Sequence, residues 1–218
     1  MVPQARAETT RQKILDAAID VFSEVGYAAA GLGEVIQRAG MTKGALYHHF
    51  DSKEALATTI IEQGTSLTRD AFRRVCESSS PALENMIHGV FIMADLLVSD
   101  RAVSTAEQLT RLLAGFNDAA SRVWPDRLQA MITQADLASA EGDLREGLDS
   151  YVVSEAILGA VFGANLFSDA AGGSDHLMRL TRSLELLLPA IVADRSLDYF
   201  REFVAREPLR HHPATAAG

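Results

Sequence analysis

Apolar residues recur at helical spacing through most of this chain, and that spacing restricts the fold more than any other feature. Between residues 14 and 25 they are three or four positions apart, which places them on one face of an α-helix. Similar stripes follow further along, and few segments alternate as a strand would. The residues of the first stripe are Ile14, Ala17, Ala18, Val21, Phe22 and Val25. The pattern predicts an all-α protein.

Composition narrows the class of protein. The 218 residues are 48% apolar and 22% charged, which is typical of a globular chain. The single cysteine, Cys76, excludes an internal disulfide framework and suits a reducing compartment. We find no run of about eighteen apolar residues and no apolar leader, so we expect no membrane span and a cytoplasmic protein.

A short segment, residues 42–50, carries the clearest functional signal. It reads Thr-Lys-Gly-Ala-Leu-Tyr-His-His-Phe. Thr42 can cap a helix, while Leu46 and Phe50, four positions apart, can anchor one face of that helix to a core. The polar side chains left on the outer surface are Lys43, Tyr47, His48 and His49. Such a helix suits the DNA-reading element of a helix-turn-helix.

The neighbouring residues complete that unit. The first helix is followed by Gly26, which suits a left-handed C-cap. A second helix over residues 32–39 is followed by Gly40 in a tight turn. A fourth helix is predicted over about residues 52–75, with Asp51 as its cap.

The charge is unevenly distributed. Residues 1–53 hold 6 Lys/Arg and 6 Asp/Glu, so the rest of the chain, with 14 and 23, carries the whole net charge of −9. The three lysines of the protein, Lys13, Lys43 and Lys53, all lie in the neutral N-terminal part. An acidic body would turn that part toward a polyanion such as DNA. The basic patch is small, so we expect a dimer to be needed for tight binding.

These motifs resemble the TetR family of transcriptional regulators. The matching segments are Thr10–Ala18, Phe22–Tyr27, Ala39–Phe50 and Ser52–Leu56, in the same order and spacing. Within the family the chain is similar to the γ-butyrolactone receptor-like branch, because of the Thr42–Tyr47 sequence, Trp124 and the later Glu141–Arg145 segment.

The resemblance implies three parts in the chain. They are a three-helix helix-turn-helix DNA-binding domain over residues 1–53, a larger helical ligand-binding and dimerisation domain over residues 54–206, and a disordered tail over residues 207–218. Helices of the larger domain are predicted near residues 101–115, 121–140, 149–170, 174–193 and 196–206.

The resemblance also assigns DNA contacts. Thr42, Lys43 and Gly44 approach the major groove, where Lys43 can reach a guanine edge or a phosphate. The other residues implied are phosphate-positioning or backbone-contacting ones: Thr10, Arg11, Tyr47, His48 and Lys53.

A ligand pocket is expected in the middle of the chain, with Trp124 as the principal candidate because its ring can stack and its N–H can donate. The other candidates are Phe91, Met93, Leu97, Gln108, Leu109, Leu112, Leu113, Phe116, Asn117, Leu128, Met131, Phe162, Asn165 and Phe167. The alternative is that each apolar member is an ordinary core residue.

Two late stripes are candidates for a homodimer interface. They consist of Val153, Ile157 and Val161, beside Gly159 and Gly163, and of Leu180, Leu184, Leu187 and Leu188. In the family the last two long helices form a four-helix interface, and the resemblance implies the same here. The alternative is that the stripes face their own core.

One departure from the family pattern bears on DNA affinity. The second helix usually opens with Thr or Ser, which cap it and can bind a phosphate. Here Ala30 and Gly31 stand there, and Gly33 follows inside the helix, where glycine costs about 1 kcal/mol. We expect a less stable DNA-binding domain and one phosphate contact fewer.

The hypothesis is a homodimeric, ligand-responsive repressor that binds a palindromic operator in double-stranded DNA and is released by a small, fairly hydrophobic effector. One alternative is a ligand-binding decoy that no longer reads DNA. An enzyme is disfavoured, because the chain has no nucleophile elbow or phosphate loop, and Glu141 and Asp143 read as solvated loop charges. We expect no cofactor and no metal site, because His48 and His49 diverge on a helix and His211 and His212 fall in the tail.

Overall fold

We describe the fold from a computed structural model, which covers residues 2–78, 80–173 and 175–211, with side chains from residue 5 onward. This part of the chain folds into ten α-helices, so the all-α prediction is confirmed. The helices are α1 (Val2–Val25), α2 (Leu32–Ala39), α3 (Lys43–His49), α4 (Lys53–Cys76), α5 (Ala82–Ser99), α6 (Arg101–Leu113), α7 (Asp118–Glu141), α8 (Ser150–Ala170), α9 (His176–Ile191) and α10 (Leu197–His211).

The chain divides into two compact units. The N-terminal unit comprises Met1–Leu67 and Asp100–Val123, and the C-terminal unit comprises Thr68–Ser99 and Trp124–Gly218. The predicted boundary at residue 53 does not coincide with this division, because α4 contributes its first half to the N-terminal unit and α6 also belongs there. Sequence reasoning predicted α6 but assigned it to the larger domain, because its contacts with α1 join segments far apart in the chain.

The N-terminal unit is built around the apolar stripe of α1. Ile14, Ala18 and Phe22 are buried, together with Leu46 and Phe50 from the segment that carries α3. Burying a Leu or Phe side chain is worth about 1.5–3 kcal/mol, so these two anchors are strong enough to fix a helix of seven residues.

The ends of α2 and α3 follow the sequence prediction. Gly26 and Gly40 adopt φ of 79° and 63°, the left-handed region that glycine enters without strain. Thr42 caps α3, since its Oγ1 accepts a hydrogen bond from Ala45 N at 3.2 Å. The predicted cap of α4 is wrong by one residue: Ser52 Oγ, and not Asp51, accepts the bond from Ala55 N, at 3.0 Å.

The C-terminal unit is held together across a segment that sequence analysis treated as a solvated loop. Glu141 Oε2 accepts a hydrogen bond from Ala82 N at 2.8 Å and so caps α5. Asp143 Oδ1 accepts a bond from Ser196 Oγ at 2.8 Å, and Leu144 forms an isolated antiparallel bridge with Val192. The carboxylates of residues 141–145 therefore hold the ends of α5 and α10 and are not free surface charges.

The predicted tail is also corrected. Residues 207–211 form the last turns of α10, and both Glu207 and Pro208 are buried. Proline can sit in a helix if only one backbone bond is lost, and here the buried contacts of Glu207 hold the turn in place. The rest of the predicted tail, residues 212–218, lies outside the described residues.

Among the described residues, two helices are long and apolar enough to cross a membrane by length and composition alone, although neither is an unbroken apolar run. They are α5, with mean hydropathy 1.3, and α8, with 1.4. In α5, 61% of that stretch is buried, as in the core helix of a globular protein. In α8 only 39% is buried, which leaves an apolar outer face.

Candidate functional site

The outer face of α3 presents the predicted reading residues. Leu46 has 0% of its surface exposed and Tyr47, the next residue, has 43%. Thr42, Lys43, Gly44 and His48 are exposed as well. The helix is therefore divided into a core face and an outer face of donors.

Lys43 and Tyr47 lie against each other on that face. The Lys43 Nζ atom is 5.8 Å from the centroid of the Tyr47 ring, as expected for residues four positions apart on a helix. This contact orders a long cationic side chain before any DNA is bound, and a side chain ordered in advance loses less entropy on binding.

The predicted residues of α1 approach the other end of α3. The Arg11 guanidinium lies 5.2 Å from the Phe50 ring centroid and 3.9 Å from the Glu8 carboxylate. Thr10 Oγ1 donates a hydrogen bond to Arg6 O at 2.9 Å, so its hydroxyl proton is already used within the helix. Thr10 can still accept, but it cannot donate to a phosphate in this rotamer.

Lys53 has a structural role that the sequence did not indicate. Its Nζ donates to the carbonyl oxygens of Tyr27 at 2.8 Å and Ala30 at 3.0 Å, and lies 4.5 Å from the Tyr27 ring centroid. These contacts hold the loop between α1 and α2. A phosphate contact by Lys53 stays a prediction, and forming it would loosen this loop.

At the start of α2, a hydrogen bond from the backbone to Glu34 takes the place of the missing N-cap side chain. Gly31 has no side chain to accept a bond, but the Glu34 carboxylate accepts one from Gly31 N at 2.9 Å. A second contact fixes the other end: Arg38 donates to both carboxylate oxygens of Glu24, at 2.8 and 2.6 Å. That hydrogen bond and the charge of Arg38 lower the pKa of Glu24.

The predicted ligand-pocket residues are divided between the two units. Gln108, Leu112 and Phe116 belong to the N-terminal unit and are exposed, with Phe116 at 73%, while Leu109 and Leu113 lie in the core of that unit. A further polar candidate, Asn117, already has hydrogen-bond partners: its Oδ1 accepts from Ala120 N at 3.0 Å and its Nδ2 donates to Thr58 Oγ1 at 2.8 Å. For these residues a ligand contact stays a prediction.

The remaining candidates lie in the C-terminal unit, where two of them meet. The rings of Trp124 on α7 and Phe162 on α8 are 4.3 Å apart at their centroids, edge to face. Arg127 lies over both rings, 5.6 and 5.3 Å from the centroids. Sequence analysis missed Arg127, although its position three residues after Trp124 places it on the same helix face.

One polar candidate lies on the same side of α8 as Phe162. Asn165 is 8% exposed, and its Nδ2 donates to Val161 O at 3.0 Å. Its Oδ1 is buried without a hydrogen-bond partner among the described residues. Buried acceptors are normally satisfied, so this atom is suited to a donor from a bound molecule. Of the other candidates, Phe91, Met93, Leu97 and Met131 are buried core residues, Leu128 is half-buried and Phe167 is exposed.

The predicted dimer stripes face the protomer's own core. Side chains that are buried in the protomer leave little surface for a partner, so these residues are mainly core, and their place in a dimer interface stays a prediction. The buried residues are Val153, Ile157, Val161, Leu180, Leu184 and Leu188, and Leu187 is half-buried.

A different apolar face of the same helices is exposed. Gly159 and Gly163 of α8 have open space where a β-carbon would stand. The large apolar side chains exposed on α8 and α9 are Val152, Leu166, Phe167, Met178 and Leu186. We call the two glycines and these five side chains the α8–α9 outer face. Helical periodicity found one stripe on α8 but could not distinguish which of its two apolar faces is outside.

The N-terminal unit matches a known family. Residues 14–60 match the family of bacterial regulatory proteins, tetR family. The A-factor receptor protein of Streptomyces griseus is 33% identical over 193 residues, which cover 88% of this chain and 67% of the relative. The regulator UidR of Escherichia coli K12 is 38% identical over 96 residues, and the match spans 44% of this chain and 45% of UidR.

Solved structures extend the similarity over both units. A γ-butyrolactone receptor described as ArpA-like has a TM-score of 0.80 at 25% identity, covering 94% of this chain and 99% of the solved one. CprB of Streptomyces coelicolor, in complex with its operator sequence, has a TM-score of 0.78 at 25% identity, with the same coverage of both chains.

Proposed function

Because the chain belongs to the tetR family of bacterial regulatory proteins, which are transcriptional regulators and not enzymes, we propose that it is a homodimeric repressor. In this proposal the dimer holds a palindromic operator in double-stranded DNA, and a small, fairly hydrophobic effector releases it. The protein works in the cytoplasm, where the operator is.

The outer face of α3 is the observation that carries the proposal. Lys43 reaches a guanine edge or a phosphate, and Gly44 lets the backbone come close to the groove. Tyr47 and His48 position the helix on phosphate oxygens, with Arg11 reinforcing them from α1, and Thr10 joins them when its hydroxyl rotates away from Arg6 O. The two N-terminal units of the dimer bind half-sites roughly 34 Å apart, one turn of B-DNA.

Dimerisation is assigned to the α8–α9 outer face. Gly159 and Gly163 let a partner helix approach closely, and the exposed side chains around them supply apolar area. A two-fold interface uses the same patch on both copies. In this proposal the α8–α9 outer face therefore packs against the same face of the partner, close to the two glycines.

The effector is assigned to the C-terminal unit beside Trp124 and Phe162. Two aromatic faces and the Arg127 guanidinium suit a small apolar molecule with one carbonyl, and an effector hydroxyl can donate to Asn165 Oδ1. The relatives named as receptors for A-factor and γ-butyrolactone support a small lactone as the class of effector.

Release requires that the effector bind two states unequally. The effector must favour a dimer whose reading helices no longer match the operator spacing, and by linkage the operator must weaken effector binding by the same factor. Equal affinity of the effector for free and operator-bound protein would contradict this mechanism.

One observation favours a second function, a ligand-binding decoy. The carboxylate of Glu34 lies at the start of α2, on Gly31 N, where the family usually offers a phosphate-binding hydroxyl. A decoy would keep the Trp124 site and the dimer but bind DNA only weakly and without sequence preference.

The test is retention of sheared genomic DNA from the source organism on the purified dimer, followed by sequencing. We expect a few palindromic sites to be enriched and to be lost in the Lys43→Ala, Tyr47→Ala double variant. Affinity for an enriched site should fall steeply as salt rises.

A charge-matched control separates reading from simple attraction. Lys13→Ala removes the same positive charge from α1 and should keep the enriched sites. Loss of the sites in Lys13→Ala as well would indicate non-specific electrostatics. No enrichment at low salt by a folded dimer would remove the repressor and leave the decoy.

A further inference from the structure

A cluster of metal-ligating side chains lies in the C-terminal unit, away from the aromatic site. It consists of His88 on α5 and of Glu207 and His211 on α10, and we call it the His–Glu–His triad. Each residue offers one ligand atom, and these atoms lie within 4.8 Å of one another. Glu207 and His211 are four positions apart, so both side chains project from one face of α10.

The carboxylate at the centre of the triad is fully buried. Glu207 has 0% of its side chain exposed, and its Oε2 lies 2.7 Å from His88 Nδ1 and 3.9 Å from His211 Nε2. A buried carboxylate is stable only beside positive charge. Arg210 supplies part of it, with Nη1 at 3.0 Å from Glu207 Oε1, but that guanidinium is half-exposed and does not lie between the carboxylate and the rings.

The orientation of His211 adds an independent observation. Its Nδ1 faces the Asp95 carboxylate, 3.9 Å away, and its Nε2 is buried without a hydrogen-bond partner among the described residues. A buried ring nitrogen without a partner, close to a buried carboxylate, is an arrangement that a bound cation satisfies.

We propose that the His–Glu–His triad binds a divalent transition-metal ion of the Zn²⁺ class. Two imidazole nitrogens and one carboxylate oxygen are ligands that Zn²⁺ accepts. Ligand atoms around a tetrahedral ion are roughly 3.3 Å apart, so His88 and Glu207 separate slightly and His211 moves inward.

The surroundings provide a route for the ion. A cavity of about 500 Å³ is lined by His88, Arg210, Glu84 and Asn85, among others. His88 therefore borders open space through which an ion and a coordinating water can enter. The bound ion ties the last turn of α10 to α5.

The sequence expectation of no metal site is replaced by this proposal. That expectation placed His211 in a disordered tail and did not consider His88. The spacing of Glu207 and His211 was a usable signal, but their partner lies 119 positions from Glu207 in the sequence, where no local pattern connects them.

The test uses the full chain without a histidine tag, stripped of metal by a chelator. Titration with Co²⁺ alone should give visible ligand-field bands that saturate at one ion per protomer and are bleached by Zn²⁺. We expect His88→Ala and His211→Ala each to weaken Zn²⁺ binding by more than about 100-fold, because each removes one of the three protein ligands. His49→Ala, a histidine of the N-terminal unit outside the triad, should bind as the wild type does.

A measurement on the unmodified protein covers variants that fail to fold. X-ray absorption of the Zn²⁺-loaded wild type should show two imidazole ligands. A shell of oxygen ligands alone, binding unchanged in folded His88→Ala, or no cobalt bands from folded wild type would each overturn the proposal and leave the triad as a buried ion-pair network.

Discussion

The helices α3 and α8 show why the spacing of apolar residues identifies the outer face of one helix and leaves that of another ambiguous. In α3 the core face is apolar and the outer face is polar, so Leu46 is buried while the next residue, Tyr47, is exposed. In α8 both faces are apolar: Ile157 is buried and Val152 is exposed. Periodicity identifies a stripe, but polarity is needed to tell which side of the stripe faces solvent.

The difference is the one expected from the role proposed for each helix. A DNA-reading helix needs donors on its outer face, and these mark that face in the sequence. A helix that packs on its own core and on a second copy needs apolar residues on both sides. Functional assignment from a sequence is therefore most secure where function requires polar atoms.

The largest expected effect tests which face of α8 is core. Ile157→Ala removes a fully buried side chain and should lower the free energy of unfolding by about 2–5 kcal/mol, because a cavity is left behind. Chemical denaturation at several protein concentrations measures this. A variant of unchanged stability that instead fails to dimerise would restore the original assignment of Ile157 to the interface.

The next effect tests the outer face. A β-carbon at Gly163 has open space around it, so Gly163→Leu is tolerated by the protomer and fills the notch of the α8–α9 outer face. We expect the dimer dissociation constant to rise about 100-fold, equivalent to roughly 2.7 kcal/mol, while circular dichroism stays that of a folded protein. Sedimentation equilibrium measures the constant. Gly115→Leu, which also has open space in its own unit, is the control and should leave the dimer intact.

A smaller effect is expected on the outer face of α3. Tyr47→Phe removes one hydroxyl from an exposed side chain, so stability should not change, and affinity for the operator should fall by about 1 kcal/mol, or roughly fivefold. Fluorescence anisotropy with a labelled operator measures the affinity. An unchanged affinity would show that the tyrosine contributes its ring, through the contact with Lys43, and not its hydroxyl.

The smallest effect concerns the cost of glycine to the stability of α2. Gly33 lies in open space with a helical backbone, so Gly33→Ala should stabilise the N-terminal unit by about 0.5–1 kcal/mol. Gly40→Ala makes the same chemical change at φ 63°, where a β-carbon is strained, and should destabilise. Thermal melting compares the two. Equal effects would contradict the account of glycine in this helix.

What could be predicted from the sequence depended on the separation of the interacting residues. The Thr42 cap, the spacing of the Leu46 and Phe50 anchors and the turn at Gly40 are local features of the sequence, and all were predicted. The carbonyl contacts of Lys53 reach back 26 positions and the bond from Ala82 to Glu141 spans 59. Such contacts depend on how helices pack, which no local pattern reveals.

The candidate site divides in the same way. The reading residues are close in sequence, and their exposure follows from one short helix. The predicted effector residues came from four helices and were sorted by residue type alone, so Phe116 and Asn117 were included although one is exposed and the other caps α7. Arg127 was omitted because a charged residue does not stand out in an apolar search.

The Glu34 carboxylate on Gly31 N has a consequence for how this regulator can change over time. The carboxylate lies at the start of α2, where a helix N-terminus otherwise attracts an anion. In the proposed repressor it therefore competes with one operator phosphate for Gly31 N. Replacing that competitor adjusts the strength of DNA binding without touching the residues that read bases. Occupancy of an operator is thus adjustable by single substitutions in α2, independently of which operator is chosen.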